Sequence, residues 1–265
     1  MKRLIGREKE IESLEAYVDS GQAEFIAIYG RRRVGKTFLI NQLFRNRLAF
    51  SLTGIIDGTP SEQMESYVQA LEFNGYKINE HPKNWLTAFA ELRKFLQPKI
   101  NSGEPCIVFI DEISCFDSQR SGFVRALGFF WNSWASLQDN LKLIICGSVT
   151  SWMITNIIDS KGGLHNRVTH EIALHQFTLH ETELYLLNRG FNWSRLTILQ
   201  AYMCLGGVPY YLSLLSASES LAENLDRLFF DRDAELQKEY SRLYKTLFKS
   251  PEPYMKIVKL LAESK

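Results

Sequence analysis

The sequence predicts an α/β fold, a parallel sheet covered on both faces by helices and followed by an all-helical region. Three features predict it. Short continuous apolar runs, the mark of strands buried on both faces, alternate with segments whose apolar residues recur every three or four positions. One such run passes through a glycine-containing loop straight into a helical pattern. After about residue 178 the runs stop and only helical patterns remain.

In chain order, EFIAIYG (24–30) reads as a buried strand ending in glycine. TFLINQLFRN (37–46) reads as a helix, with Phe38, Leu39, Leu43 and Phe44 at helical spacing. LAFSLTG (48–54) is a second strand, and residues 60–102 are mainly helical. PCIVFIDEIS (105–114) is an apolar strand ending in two carboxylates. FVRALGFFWNSWAS (123–136) is an aromatic-rich helix, and LKLIICGSVTSWM (141–153) is a buried strand ending in Gly147 and Ser148. THEIALHQF (169–177) reads as the last strand. LTILQAYMCLGGVPYYLSLL (196–215) is two helices around a break, with Gly206 and Gly207 ending the first and Pro209 starting the second. Residues 221–248 read as further helix, and no internal repeat is present.

Composition narrows the function classes. The 265 residues carry a net charge of +1, which gives no electrostatic reason for the whole chain to bind nucleic acid or an acidic membrane. No apolar stretch approaches the roughly 20 residues of a membrane span. The start, MKRLIGREKE, lacks the apolar region of a secretory signal, so the expected location is cytoplasmic. The four cysteines form no CxxC and read as buried or incidental thiols. His165, His170, His175 and His180 recur every five residues, a step that follows neither a helix face nor a strand face, so they read as ordinary histidines.

The chemistry concentrates at GRRRVGKT (30–37). Gly30 and Gly35 stand five apart and are followed by Lys36 and Thr37, between a strand and a helix, which is the context of a phosphate-binding loop. Backbone N–H groups there favour negative charge. Lys36 reaches outer phosphates and the Thr37 hydroxyl suits Mg²⁺. Asp111, at the end of CIVFI, is the second Mg²⁺ candidate, and Glu112 is placed to polarise an attacking water. Ser148 ends the strand expected between the loop strand and the Asp111 strand, where a polar group can touch the terminal phosphate or the water. Arg31, Arg32 and Arg33 cannot all face one phosphate, because successive loop residues diverge. Structural pairing, a clamp on the terminal phosphate and a nucleic-acid contact remain the three readings for them.

LIGREKEIESL (4–14), IYGRRRVGKTFLI (28–40), FIDEIS (109–114), ICGSVTSWM (145–153), HNR (165–167) and GGVPYYL (206–212) occur in an order that resembles the archaeal-type ATPases. These are AAA+-like P-loop proteins related to the STAND signalling NTPases. The resemblance implies a three-layer P-loop domain over 1–178, a helical lid subdomain over 179–250, and the start of a truncated winged-helix domain at 251–265. It implies ATP or ADP with Mg²⁺ as cofactors, and Mg²⁺-dependent ATP hydrolysis, with a nucleotide-gated switch of negligible turnover as the alternative. The nucleotide would lie on Gly30, Arg31, Arg32, Arg33, Val34, Gly35, Lys36, Thr37 and Phe38. Ile5 and Arg7 would lie beside the adenine, Val208 and Pro209 would close from the helical side, and Arg167 would aim at the terminal phosphate. The chain departs from typical AAA+ enzymes at Ser148, where many carry Asn, and shows no sensor arginine in its helical part. A homo-oligomer, and a nucleic-acid or protein partner bound through a missing C-terminal region, are left open by the same resemblance. No membrane partner is expected.

Overall fold

The computed structural model describes residues 4–118, 121–239, 241, 243–244, 248 and 250–263. The chain divides into two compact units, Met1–Gln176 and Phe177–Lys265.

In the first unit, strands β1 (Glu24–Tyr29), β2 (Leu48–Thr53), β3 (Cys106–Asp111), β4 (Leu141–Gly147) and β5 (His170–Ala173) form one sheet in the order β2-β3-β4-β1-β5, with every pairing parallel. Its helices are α1 (Glu8–Val18), α2 (Lys36–Phe44), α3 (Pro60–Phe73), α4 (Trp85–Ile100), α5 (Phe123–Ser133) and the short α6 (Thr150–Met153). The α/β parallel sheet that the apolar runs predict is present, and β4 does lie between β1 and β3.

The continuous apolar runs have a simple cause. Successive strand residues face opposite sides, and both sides are covered. Phe25 and Ala27 of β1, Val108 and Ile110 of β3, and Leu143 and Ile145 of β4 belong to one core. Ile26, Ile28, Ile107, Phe109, Ile144 and Cys146, the alternate positions, belong to the other. The first core holds an aromatic layer in which the Trp85 ring lies 5.3 Å from Phe116 and 4.9 Å from Phe123, both edge-on. Helix starts follow side-chain capping. Thr59 accepts from the Glu62 N–H while Glu62 returns to the Thr59 N–H, with Pro60 in the first turn. Asn84 and Thr87 do the same for α4.

The second unit contains α7 (Leu179–Asn188), α8 (Arg195–Leu205), α9 (Pro209–Ser213), α10 (Leu221–Leu225) and α11 (Glu252–Glu263). Phe177, Leu186, Phe191, Ile198, Leu205, Leu212, Leu215, Leu228 and Leu236 make its core. Gly207 is required there. Its φ is +64°, and a Cβ would sit 2.3 Å from the Phe177 carbonyl oxygen. The helix expected over 221–248 is interrupted. α10 ends at Leu225 and passes through a π-helical segment, Asp226–Phe230, into turns over 231–238, and the described residues 239, 241, 243 and 244 are helical again. The Asp231 N–H bonds five residues back to Asp226, and the Leu236 N–H reaches the Leu228 carbonyl, which turns Leu236 into the core. Residues 240, 242 and 245–247 of that expectation lie outside the described residues. Among the described residues no helix is long and apolar enough to cross a membrane.

A polar cluster is buried where the sheet begins. Glu24 and Lys142, partners in the β1–β4 register, are 0% and 1% exposed. Lys142 Nζ donates to Ser20 Oγ, to the Asp139 carbonyl and to the Gln22 carbonyl. Gln22 Nε2 donates to Glu24 Oε1 at 3.0 Å, and His170 Nε2 lies 3.2 Å from Glu24 Oε2 while its ring stacks on Tyr17. Burial alone would raise the Glu24 carboxyl. The Gln22 hydrogen bond, the nearby Thr169 and Ser20 hydroxyls and the His170 charge bring it below its ordinary value.

A carboxylate depressed in the folded state adds stability above its unfolded pKa, and that stability is lost as pH falls through the folded value. Glu24→Gln should therefore destabilise the protein by about 1–3 kcal/mol at pH 7. The deficit should narrow as pH falls below about 4. Denaturant unfolding of both proteins from pH 3 to 8 measures this, and a deficit that stays constant with pH contradicts the assignment.

Candidate nucleotide-binding site

The parallel register brings the C-terminal ends of β1, β3 and β4 into a row, and the chemistry-bearing residues follow those ends directly. The loop after β1 leads into α2, whose first residue is Lys36 and whose N-cap, Gly35, has φ 96°. Gly30 has φ 150°, and a Cβ there would sit 2.2 Å from the Leu174 carbonyl oxygen beyond β5. Arg33 is also left-handed, at φ 71°. Positive φ at 30, 33 and 35 curls the backbone around the start of α2, so that N–H groups gather at the positive end of the helix.

Lys36 is buried at 5% exposure. Its Nζ donates to the Gly30 carbonyl at 2.9 Å, the Arg31 carbonyl at 3.2 Å and Ser148 Oγ at 3.2 Å. Ser148 Oγ in turn donates to Glu112 Oε1 at 2.6 Å. Thr37 Oγ1 donates to Asp111 Oδ2 at 2.6 Å, and the Glu112 N–H donates to Asp111 Oδ1 at 2.9 Å. The five residues thus form one hydrogen-bonded cluster drawn from three strand ends. Glu112 is held in a left-handed conformation, φ 47°, which turns its side chain back toward Ser148.

Electrostatics follow from burial. Desolvation pulls the Lys36 ammonium below its usual pKa, and Arg32 adds to that, while Glu112, Cys146 and Asp111 act against it. Desolvation raises the Asp111 carboxyl, with Glu112 adding to it. The Thr37 hydroxyl, the Glu112 N–H and Lys36 oppose the rise. Arg32 is the loop arginine whose charge is felt at Lys36, and it is felt at Cys115 as well. Arg31 and Arg32 are exposed, and Arg33 is half-buried. Burial pushes the thiols of Cys106 and Cys115 to about 11, so neither is a thiolate near neutral pH. Among the described residues no His/Cys/Asp/Glu group of three or more could hold a metal. The oxygen pair of Thr37 and Asp111 is a smaller set, and oxygen donors suit a hard cation that completes its shell with phosphate and water.

The remaining predicted residues distribute as follows. Val34 is buried beneath α2, and Phe38, on its first turn, is 43% exposed. Ile5 is half-buried, while Arg7 is buried and bonded to backbone carbonyls, including that of Val34. Arg167 is exposed, two residues before Thr169, whose N–H bonds Phe25 near the start of β1. Arg167 therefore lies at the edge of the sheet opposite the loop and is not brought to Lys36 of its own chain. Val208, the buried N-cap of α9, and Pro209, the first residue of α9, belong to the second unit. Two features escaped the sequence reading. Gly54 donates its N–H to the Asp111 carbonyl, and a Cβ there would sit 2.6 Å from the Glu112 carbonyl oxygen. The Leu174 carbonyl walls the loop at Gly30. The glycine closing LAFSLTG was the signal for the first, and nothing in the sequence pattern pointed to the second.

Because a Gly30 Cβ meets backbone, no rotamer relieves it. Gly30→Ala should lower stability by about 1–3 kcal/mol, read as a shifted denaturant midpoint with an unchanged slope. An unshifted midpoint contradicts the close approach of β5 to the loop.

Known proteins resemble the chain in sequence and in fold. A family model described as an ATPase domain predominantly from Archaea matches residues 4–215. An uncharacterized protein of Methanocaldococcus jannaschii is 27% identical over 262 residues, or 97% of this chain, and the chain spans 54% of that relative's length. A Walker-type ATPase of Pyrococcus abyssi superposes with a TM-score of 0.58 at 19% identity, covering 98% of this chain and 77% of that one. A signal transduction ATPase with numerous domains (STAND) that carries a tetratricopeptide repeat sensor, from Pyrococcus horikoshii, superposes at 0.51 and 16% identity, covering 94% and 33%. At these identities the structural likenesses speak for the fold.

Proposed function

The chain belongs to this family of ATPase domains found predominantly in Archaea, and from that premise we propose that it binds Mg²⁺–ATP at Gly30–Thr37 and hydrolyses it. One observation carries the proposal. Lys36, Thr37, Asp111, Glu112 and Ser148, from three separate strand ends, meet in one hydrogen-bonded cluster at the positive end of α2. A buried ammonium beside two carboxylates, at a helix N-terminus, is an arrangement suited to a polyanion and its cation.

In this reading the loop N–H groups and Lys36 hold the outer phosphates. Lys36 exchanges its contacts with the Gly30 and Arg31 carbonyls for phosphate oxygens. Thr37 Oγ1 and Asp111 Oδ2 would hold Mg²⁺, which would supply charge neutralisation for the phosphates. Glu112 orients a water for in-line attack and accepts its proton. Ser148 sits between Lys36 and Glu112 and sets where that carboxylate rests. Arg32, exposed on the loop between Gly30 and Lys36 and so free to turn toward a bound phosphate, is the proposed clamp on the terminal phosphate.

A second reading is a nucleotide-gated switch with negligible turnover. It draws on the 2.6 Å Ser148–Glu112 bond, which engages the carboxylate that must otherwise take the water.

The experiment follows the fate of one equivalent of labelled ATP with Mg²⁺, beside Glu112→Gln. Bound ATP should become ADP in the parent and persist in the variant. ATP intact in both favours the switch, and no binding at all sinks the proposal. For the clamp, Arg32→Ala should weaken ATP about tenfold more than ADP, by isothermal titration. Equal loss for both nucleotides removes Arg32 from the terminal phosphate.

A further inference from the structure

Arg7 precedes α1 with a left-handed backbone, φ 69°, and is 5% exposed although its charge is permanent. A buried guanidinium persists only where its N–H groups find acceptors. Arg7 Nη2 donates to the Val34 carbonyl at 3.2 Å and also to the His175 carbonyl. Nη1 lies 3.5 Å from Glu10 Oε1 on α1. Val34 is the loop residue immediately before Gly35 and Lys36. His175 follows Leu174, whose carbonyl walls the loop at Gly30. A single nitrogen therefore ties the second half of the loop to the segment that walls its first half.

We infer that Arg7 is a positioning residue for the phosphate chain: it holds the loop in shape through the Val34 and His175 carbonyls and does not read the base. This inference rests on the nucleotide site proposed above. Both acceptors are backbone atoms, so the tie constrains the path of the chain and not the pose of a side chain. The Val34 side chain is itself buried, at 1% exposure, which leaves its peptide group as the part of the residue that Arg7 orients. Of the three positive-φ residues of the loop, Gly30 and Gly35 take that conformation freely, while Arg33, next to Val34, is the strained position beside which this anchor acts.

The test separates phosphate from base. Affinities for Mg²⁺–ATP and for Mg²⁺–tripolyphosphate, which has no base, are measured on the parent, Arg7→Met and Arg7→Lys. Arg7→Met should weaken both ligands by the same factor, about tenfold or more, and Arg7→Lys, which retains N–H donors, should recover part of the loss for both. Loss for ATP with tripolyphosphate unchanged would make Arg7 a base contact and overturn the inference, as would no loss for either. Should Arg7→Met fail to fold, Arg7→Lys alone carries the same comparison. If the parent binds neither ligand, the nucleotide site falls, and hydrogen exchange of the free protein decides on Arg7. Faster exchange in the variant confined to residues 30–35 and 174–176 supports the tie. Unchanged exchange, or equal acceleration across β3 and β4, overturns it.

Discussion

A buried ammonium must be surrounded by oxygen, and the arrangement of the first unit answers to that constraint at Lys36. Lys36 is 5% exposed, and its acceptors come from the protein: two carbonyls of the loop and the hydroxyl that follows β4. Those three atoms are within reach only if β1 and β4 are neighbours in parallel register with their ends level, as the Tyr29–Gly147 pairing makes them. The Ser148 hydroxyl, oriented by Lys36, donates its own hydrogen bond to Glu112 beyond β3. Asp111, beside it, takes its hydrogen bonds from Thr37 and from the next peptide. The sheet order, the loop curl and the carboxylate orientation are thus one electrostatic arrangement.

Glycine and arginine frame this cluster in complementary ways. Gly30 lets the loop approach the Leu174 carbonyl more closely than any side chain allows. Gly54 does the same behind Glu112. Arg7 works from the other side, filling the gap between the loop and the segment after β5 with donors. The arginines inside the loop divide by exposure. Arg31 and Arg32 face outward, and Arg33 takes the left-handed turn that brings Val34 back into the core.

Much of this was legible in the residues. Runs such as CIVFI and LKLIIC have no polar alternation, which marks strands covered on both faces, and they are such strands. Spacing alone placed Lys36 and Thr37 at the head of α2 and the two carboxylates at the end of β3. The region after Leu225 departs from its periodicity. Its apolar residues keep helical spacing, but the chain turns so that Leu236 returns beside Leu228. That bend is a tertiary contact, and periodicity carries no trace of it. For Arg167 family resemblance alone implies a place at the phosphate, whereas the sheet puts it at the far end, because β5 runs toward the loop and Arg167 precedes β5.

The sequence by itself determined the fold class, the glycine loop between strand and helix, and the identity of the polar residues at three strand ends. These are local properties, written in short-range pattern and residue chemistry. Only the tertiary structure decided that Ser148 bridges Lys36 and Glu112, that Thr37 bonds Asp111, and that Arg7 points at carbonyls of residues 34 and 175. The members of those pairs stand 27 to 168 positions apart in the chain. Contacts at such distances depend on which strands become neighbours and in what register, and that is set by the packing of the whole sheet.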